Sequence, residues 1–126
     1  MHITDLLQPG RVALNRRAGS MRDAIHQLVD LMAGGGNLAD AAAFEADVLA
    51  REALGGTCVG SGLAIPHAKS TAVRAPGLAA MTLDPPLACE TPDGAPVRLL
   101  FLIAAPDQAA DLHVKVLAEL LSLIHI

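Results

Sequence analysis

The chain has no tryptophan, no tyrosine and only two phenylalanines. It offers almost no rings on which a base or a sugar could stack, which argues against nucleic acid and against direct sugar recognition. Positive charge is also scarce. Nine Lys and Arg stand against thirteen Asp and Glu, for a net charge of −4, the wrong sign for binding a phosphate backbone. No apolar run approaches the roughly 20 residues of a membrane span, because Gly, Pro, Asp or Arg interrupts every few positions. The start, Met1-His2-Ile3-Thr4-Asp5, lacks the basic and apolar regions of a secretion signal. Cys58 and Cys89 make no disulfide framework and read as small buried hydrophobes. A soluble chain in a reducing cytoplasm is expected.

What is abundant is apolar content, 52% of 126 residues, enough for one core and one domain. Ser20 reads as an N-cap with Asp23 at the capping-box position, followed by Ala24, Ile25, Leu28, Val29 and Met32 at helical spacing. Gly34-Gly35-Gly36 ends that helix. Asp40 caps a second helix carrying Phe44, Val48 and Leu49 on one face, with Arg51 near its end before Gly55-Gly56. Leu63-Ala64-Ile65 is a short strand that Pro66 stops, which puts His67 just past a strand end. Two further strands are expected at Leu78 to Leu83 and Leu99 to Ala104, separated by the turn-rich Asp84-Pro85-Pro86 and Thr91-Pro92-Asp93-Gly94. The second of them reads as a central, doubly covered strand. A last helix spans about Ala109 to Leu123, with Leu112, Val116, Leu117 and Leu120 on one face. The pattern predicts an α/β single-domain sandwich, a mixed and mostly parallel β-sheet flanked by helices on both faces.

The densest chemistry lies in Gly62-Leu63-Ala64-Ile65-Pro66-His67-Ala68-Lys69. A histidine behind a proline and a glycine-rich loop is presented at an element end. A neutral imidazole has one free lone pair while its other nitrogen can be fixed by a carbonyl, so His67 can serve as a nucleophile. The residues alone leave a purely structural, hydrogen-bonded histidine equally open. Other chemistries fit less well. Ser61-Gly62 stand where a nucleotide-binding loop needs Lys followed by Ser or Thr. Val59 and Leu63 occupy the glycine positions of a serine-hydrolase elbow around Ser61. His67, His113 and Cys58 are possible metal ligands by type, but no two-ligand spacing falls on one element, so neither a metal nor another cofactor is expected.

This stretch, with Leu49-Ala50-Arg51-Glu52 before it and Leu99 to Pro106 after it, resembles the enzyme IIA family of the fructose, mannitol and nitrogen-regulatory phosphotransferase systems, along nearly the whole chain. The resemblance implies that His67 accepts a phosphoryl group, and that Arg51, sixteen residues before it, and His113, forty-six after it, flank that group. Guanidinium and imidazole donors suit the charge that a transferring phosphoryl spreads over three oxygens. Without the resemblance, Arg51 reads as a helix-end cation and His113 as a helix-surface histidine. Asp111 reads as a capping or solvated residue. Thr57 and the loop at Gly60 and Gly62 can offer donors to a phosphate on His67, or can merely satisfy turn backbone.

Arg74 to Thr82, Asp93-Gly94 and Phe101 to Pro106 are most similar to fructose-type members. By that resemblance the carrier protein HPr donates to His67, which passes the phosphoryl to a IIB domain and so serves a membrane IIC domain indirectly. An exposed apolar patch around His67, shared by both partners, is expected. The alternative is a nitrogen-regulatory IIA whose phosphorylation state is read by target proteins. A binding module without transfer is disfavoured by the joint presence of His67, Arg51 and His113. Family members run on by about one more helix, so the domain, residues 1–126, is expected to be truncated at its C-terminus. Whether Ser122 to Ile126 are native stays open.

Overall fold

The computed structural model describes residues 9–60, 62–88 and 94–107. A turn of 3-10 helix, Pro9–Arg11, leads into β1, Val12–Arg16. Helix α1, Met21–Ala33, starts where expected: the Ser20 hydroxyl accepts the Asp23 N–H at 3.1 Å, and the Asp23 carboxylate accepts the Gly19 N–H at 3.0 Å. Its five expected apolar residues, Ala24, Ile25, Leu28, Val29 and Met32, are all buried. Helix α2, Ala41–Leu54, is capped by Asp40, which accepts the Ala43 N–H at 3.1 Å. Phe44 and Val48 are buried on it, and Leu49 packs at the core edge.

Strands β2 (Cys58–Gly60), β3 (Leu63–Ala64), β4 (His67–Ser70), β5 (Gly77–Leu87) and β6 (Val97–Pro106) complete one six-stranded sheet. Its order is β1-β5-β6-β3-β2, with β4 also paired to β6. The pairings β1 with β5, β3 with β6 and β4 with β6 are parallel, whereas β5 with β6 and β2 with β3 are antiparallel. The sheet is therefore mixed and mostly parallel, as the sequence predicts. Strand β6 is central and buried on both faces, with Leu100, Leu102 and Ala104 on one and Ile103 and Ala105 on the other. The first face joins Ile25, Leu28, Met32, Phe44 and Val48 in a single apolar cluster, so both described helices lie on that side. On the second face Ile65, Leu78 and Ile103 are buried as well. The helix expected over 109–123 lies outside the described residues.

The sequence places His67 past a strand end; the structure has it open a new strand. Strand β3 stops at Ala64, and the Ile65 N–H turns to the Thr57 carbonyl at 3.0 Å. Pro66 has no N–H to give, but its carbonyl accepts the Ile103 N–H at 3.0 Å. Pairing with β6 resumes at His67, opposite Ile103. The ladder is interrupted for two residues rather than ended, because β6 is long enough to hold both pieces.

Two other expectations change, and one strand was not expected. The glycine-rich segment read as a loop contains β2, which folds onto β3 through Gly60 (φ 96°) and Gly62 (φ 80°). Strand β5 continues through Asp84-Pro85-Pro86 to Leu87, with irregular pairing after Thr82, as prolines without N–H groups require. Strand β1 is not evident in the sequence, since only Ala13 of its five residues is buried. Its register slips between Ala13 and Arg16, where Asn15 takes φ 55° and its N–H reaches Thr82 Oγ1 at 2.7 Å.

Gly62 combines a left-handed backbone with a carbonyl that accepts both Arg98 N–H (2.8 Å) and Leu99 N–H (3.0 Å). Gly62→Ala should lower stability by about 1–2 kcal/mol, whereas Gly56→Ala, which meets no atom within 4 Å, should leave the urea midpoint nearly unchanged. A second expectation concerns pH. His26 on α1 places Nδ1 2.6 Å from Glu45 Oε1 on α2 and Nε2 3.5 Å from Asp30 Oδ2. The hydrogen bond to Glu45, then the charges of Glu45 and Asp30, raise the imidazole above its ordinary 6.5. A raised folded value means stabilisation that is complete below the unfolded pKa and is lost as pH rises through the folded one. The difference in urea midpoint between wild type and His26→Gln should shrink between about pH 6 and about pH 9.

Candidate functional site

His67 is half-buried at the start of β4. Its Nδ1 lies 2.8 Å from the carbonyl of Ile65, two residues back across Pro66. A carbonyl can only accept, so Nδ1 carries the proton and the in-plane lone pair belongs to Nε2. Ile65 faces away from β6 and directs its N–H to Thr57 and its carbonyl to the ring. The result is an imidazole of defined tautomer with one nucleophilic nitrogen.

A recess of about 640 Å³ lies between the last turns of α2 and strand β4. Ala50, Arg51 and Leu54 form its helical side, and His67 and Lys69 its strand side. The structure thus brings together Arg51 and His67, which the sequence separates by sixteen positions. The Arg51 Nη1 donates to the Gly55 carbonyl at 2.9 Å, placing the cation over the negative end of its own helix. Arg51, a half-buried residue, therefore serves both as a helix-end cation and as a wall of the recess. Leu54, 86% exposed, and the exposed Ala50 form an apolar rim, in keeping with the expected patch beside His67. The recess is not purely cationic, since Asp47 and Asp107 also line it. Among the described residues no three His, Cys, Asp or Glu side chains are grouped to hold a metal ion. Nor is any helix there long and apolar enough to cross a membrane.

Thr57, Gly60 and Gly62 are not among the lining residues. Thr57 is buried, its hydroxyl donates to Glu52 Oε1, and its carbonyl receives the Ile65 N–H. It links the residue next to Arg51 with the residue that holds His67. Gly60 and Gly62 shape the β2–β3 turn. His113 and Asp111 lie outside the described residues. Cys58, read as a small hydrophobe, is half-buried on β2 and disulfide-bonded, so its sulfur forms a covalent link rather than packing as a thiol; Cys89 is outside the described residues.

Sequence reasoning gave no role to Asp47, Lys69 or Ser70. Ser70 is 3% exposed; its hydroxyl donates to Asp47 Oδ2 at 2.5 Å and accepts the Ala72 N–H at 3.0 Å. The available signal was a polar residue on the inward side of a strand whose other inward residue is Ala68.

Residues 5–125 match the family described as the phosphoenolpyruvate-dependent sugar phosphotransferase system, EIIA 2. The chain is 33% identical over 124 residues to a nitrogen regulatory protein of Pseudomonas aeruginosa, spanning 98% of this chain and 80% of that protein. It is 34% identical over 124 residues to the fructose-specific EIIABC component of Bacillus subtilis, spanning 98% of this chain and 20% of that much longer protein. The crystal structure of nitrogen regulatory protein IIA-Ntr from Neisseria meningitidis superposes with a TM-score of 0.84 at 29% identity, over 93% of this chain and 80% of that one. A presented histidine beside an arginine-walled recess on this mixed sheet, and a family match along nearly the full length, lead to one conclusion: the chain belongs to the EIIA 2 family of the phosphoenolpyruvate-dependent sugar phosphotransferase system.

Proposed function

We propose that this chain is a phosphohistidine carrier in which Nε2 of His67 takes and returns the phosphoryl group. The observation that supports the assignment is the 2.8 Å bond from Nδ1 to the Ile65 carbonyl, which leaves Nε2 as the nucleophile. In the forward step the Nε2 lone pair attacks the phosphorus of a phosphoimidazolium on HPr. The P–N bond to the donor breaks as the P–Nε2 bond forms, and the donor leaves as a neutral imidazole. His67 becomes the phosphoimidazolium, its Nδ1–H retained on Ile65. Arg51 supplies positive charge to the equatorial oxygens, and His113 is assigned the same role from the family resemblance. Thr57, Gly60 and Gly62 support the site by shaping the turn behind it.

The acceptor in this reading is a IIB domain, in the cytoplasm, for fructose-type uptake. The similarity to a fructose-specific EIIABC component supports it. A regulatory reading, in which the phosphorylated chain itself is the signal, draws support from the Pseudomonas aeruginosa nitrogen regulatory protein, of which this chain spans 80%.

Incubation with phosphoenolpyruvate, enzyme I and HPr should give an acid-labile phosphoprotein in the wild type and none in His67→Ala. Arg51→Ala should slow labelling by about a hundredfold, the usual effect of removing one donor to a developing anion. Adding a fructose-type IIB domain separates the two readings: it drains the label under the first and leaves it in place under the second. A folded wild-type chain that takes no label would exclude both.

A further inference from the structure

Asp47 and Arg51 stand one helical turn apart on α2, the i to i+4 spacing at which opposite charges ordinarily pair. Yet no ion pair joins them among the described residues. The Asp47 carboxylate instead takes the Ser70 hydroxyl at 2.5 Å, and the Arg51 guanidinium takes the Gly55 carbonyl at 2.9 Å. Both residues line the recess that holds His67. A carboxylate in that position has two ways to oppose phosphoryl transfer. It can neutralise the Arg51 guanidinium that lines the recess, and it can repel the phosphoryl oxygens directly.

Ser70 is well placed to prevent the first. It is almost fully buried, and the Ala72 N–H at 3.0 Å on its oxygen leaves the hydroxyl proton for Asp47. The hydroxyl is therefore fixed on the floor of the recess rather than free to rotate into solvent. We propose that Ser70 sequesters the Asp47 carboxylate away from Arg51, keeping the guanidinium available to the phosphoryl group on His67. Ser70 is in this sense a positioning residue. It acts through Asp47 and needs no contact with the phosphoryl group. The inference rests on the phosphocarrier reading given above.

The distinguishing experiment is a reversal. Ser70→Ala frees the carboxylate to pair with Arg51 and should slow single-turnover labelling from phospho-HPr about threefold or more, in line with a helix-surface ion pair augmented by repulsion of the incoming anion. Removing the carboxylate as well, in Asp47→Ala/Ser70→Ala, should return the rate to within about twofold of wild type. A hydroxyl that merely ties α2 to β4 predicts the opposite, because the double variant lacks the tie completely and would be as slow as the single one. Thermal melts of each variant, with rates measured well below the lowest midpoint, keep loss of folding separate from loss of rate. Ser70→Thr, which retains the hydroxyl, should label faster than Ser70→Ala. The proposal is overturned if Ser70→Ala labels at the wild-type rate, or if the double variant is not restored. A wild-type chain that takes no label removes the carrier reading and this inference together, whereas normal labelling with no reversal removes only the inference.

Discussion

The site depends on one hydrogen bond, from the His67 ring to the carbonyl of Ile65. That carbonyl is available because it faces away from β6, which takes the carbonyl of Pro66 instead. Ile65 and Pro66 leave the regular ladder between β3 and β4, and β6 then re-engages the chain at His67. Along a strand successive residues turn their polar groups to opposite edges. Strand β6 takes the Pro66 carbonyl through the Ile103 N–H, while Ile65 turns its N–H to Thr57 on the other side, which leaves the Ile65 carbonyl to the ring. Proline enforces the break, since it cannot continue the donor pattern. The histidine's chemistry therefore follows from which edge of the strand Ile65 presents, inside a well-packed sheet.

Helix α2 carries the second half of the site. Phe44 and Val48 anchor it in the core, which aims the face bearing Asp47, Ala50, Arg51 and Leu54 at β4. Its last turn is fastened twice, by Arg51 to the Gly55 carbonyl and by Glu52 to the Thr57 hydroxyl. Thr57 in turn accepts the Ile65 N–H. A short chain of bonds thus runs from the arginine's neighbour to the residue that fixes the nucleophile, and the two halves of the recess share one support.

Much of this was legible in the sequence where a single physical rule dominated. The caps at Ser20 and Asp40, the buried stripe of α1 and the central strand β6 each follow from local hydrogen bonding or apolar periodicity. The parts that were not legible involve competition between neighbours. That His67 opens a strand depends on the reach of β6, about thirty-five residues downstream. β1 has too little burial to show alternation, and β2 looks like a loop because its glycines serve the turn. Arg51 and His67 were singled out by motif, but the bond from Ser70 to Asp47 joins two elements through a hydroxyl that no motif marks.

A nucleophile oriented by a main-chain acceptor also has a particular kind of robustness. When a carboxylate side chain sets a histidine's tautomer, a single codon change can delete the partner. Here the partner is the peptide group of Ile65, which every amino acid would supply. Side-chain drift at that position can disturb packing, yet it cannot remove the acceptor. The choice of reactive nitrogen is thereby encoded in the path of the backbone, and only changes that reroute the path, at Pro66 or at the strand pairing around it, can reach it.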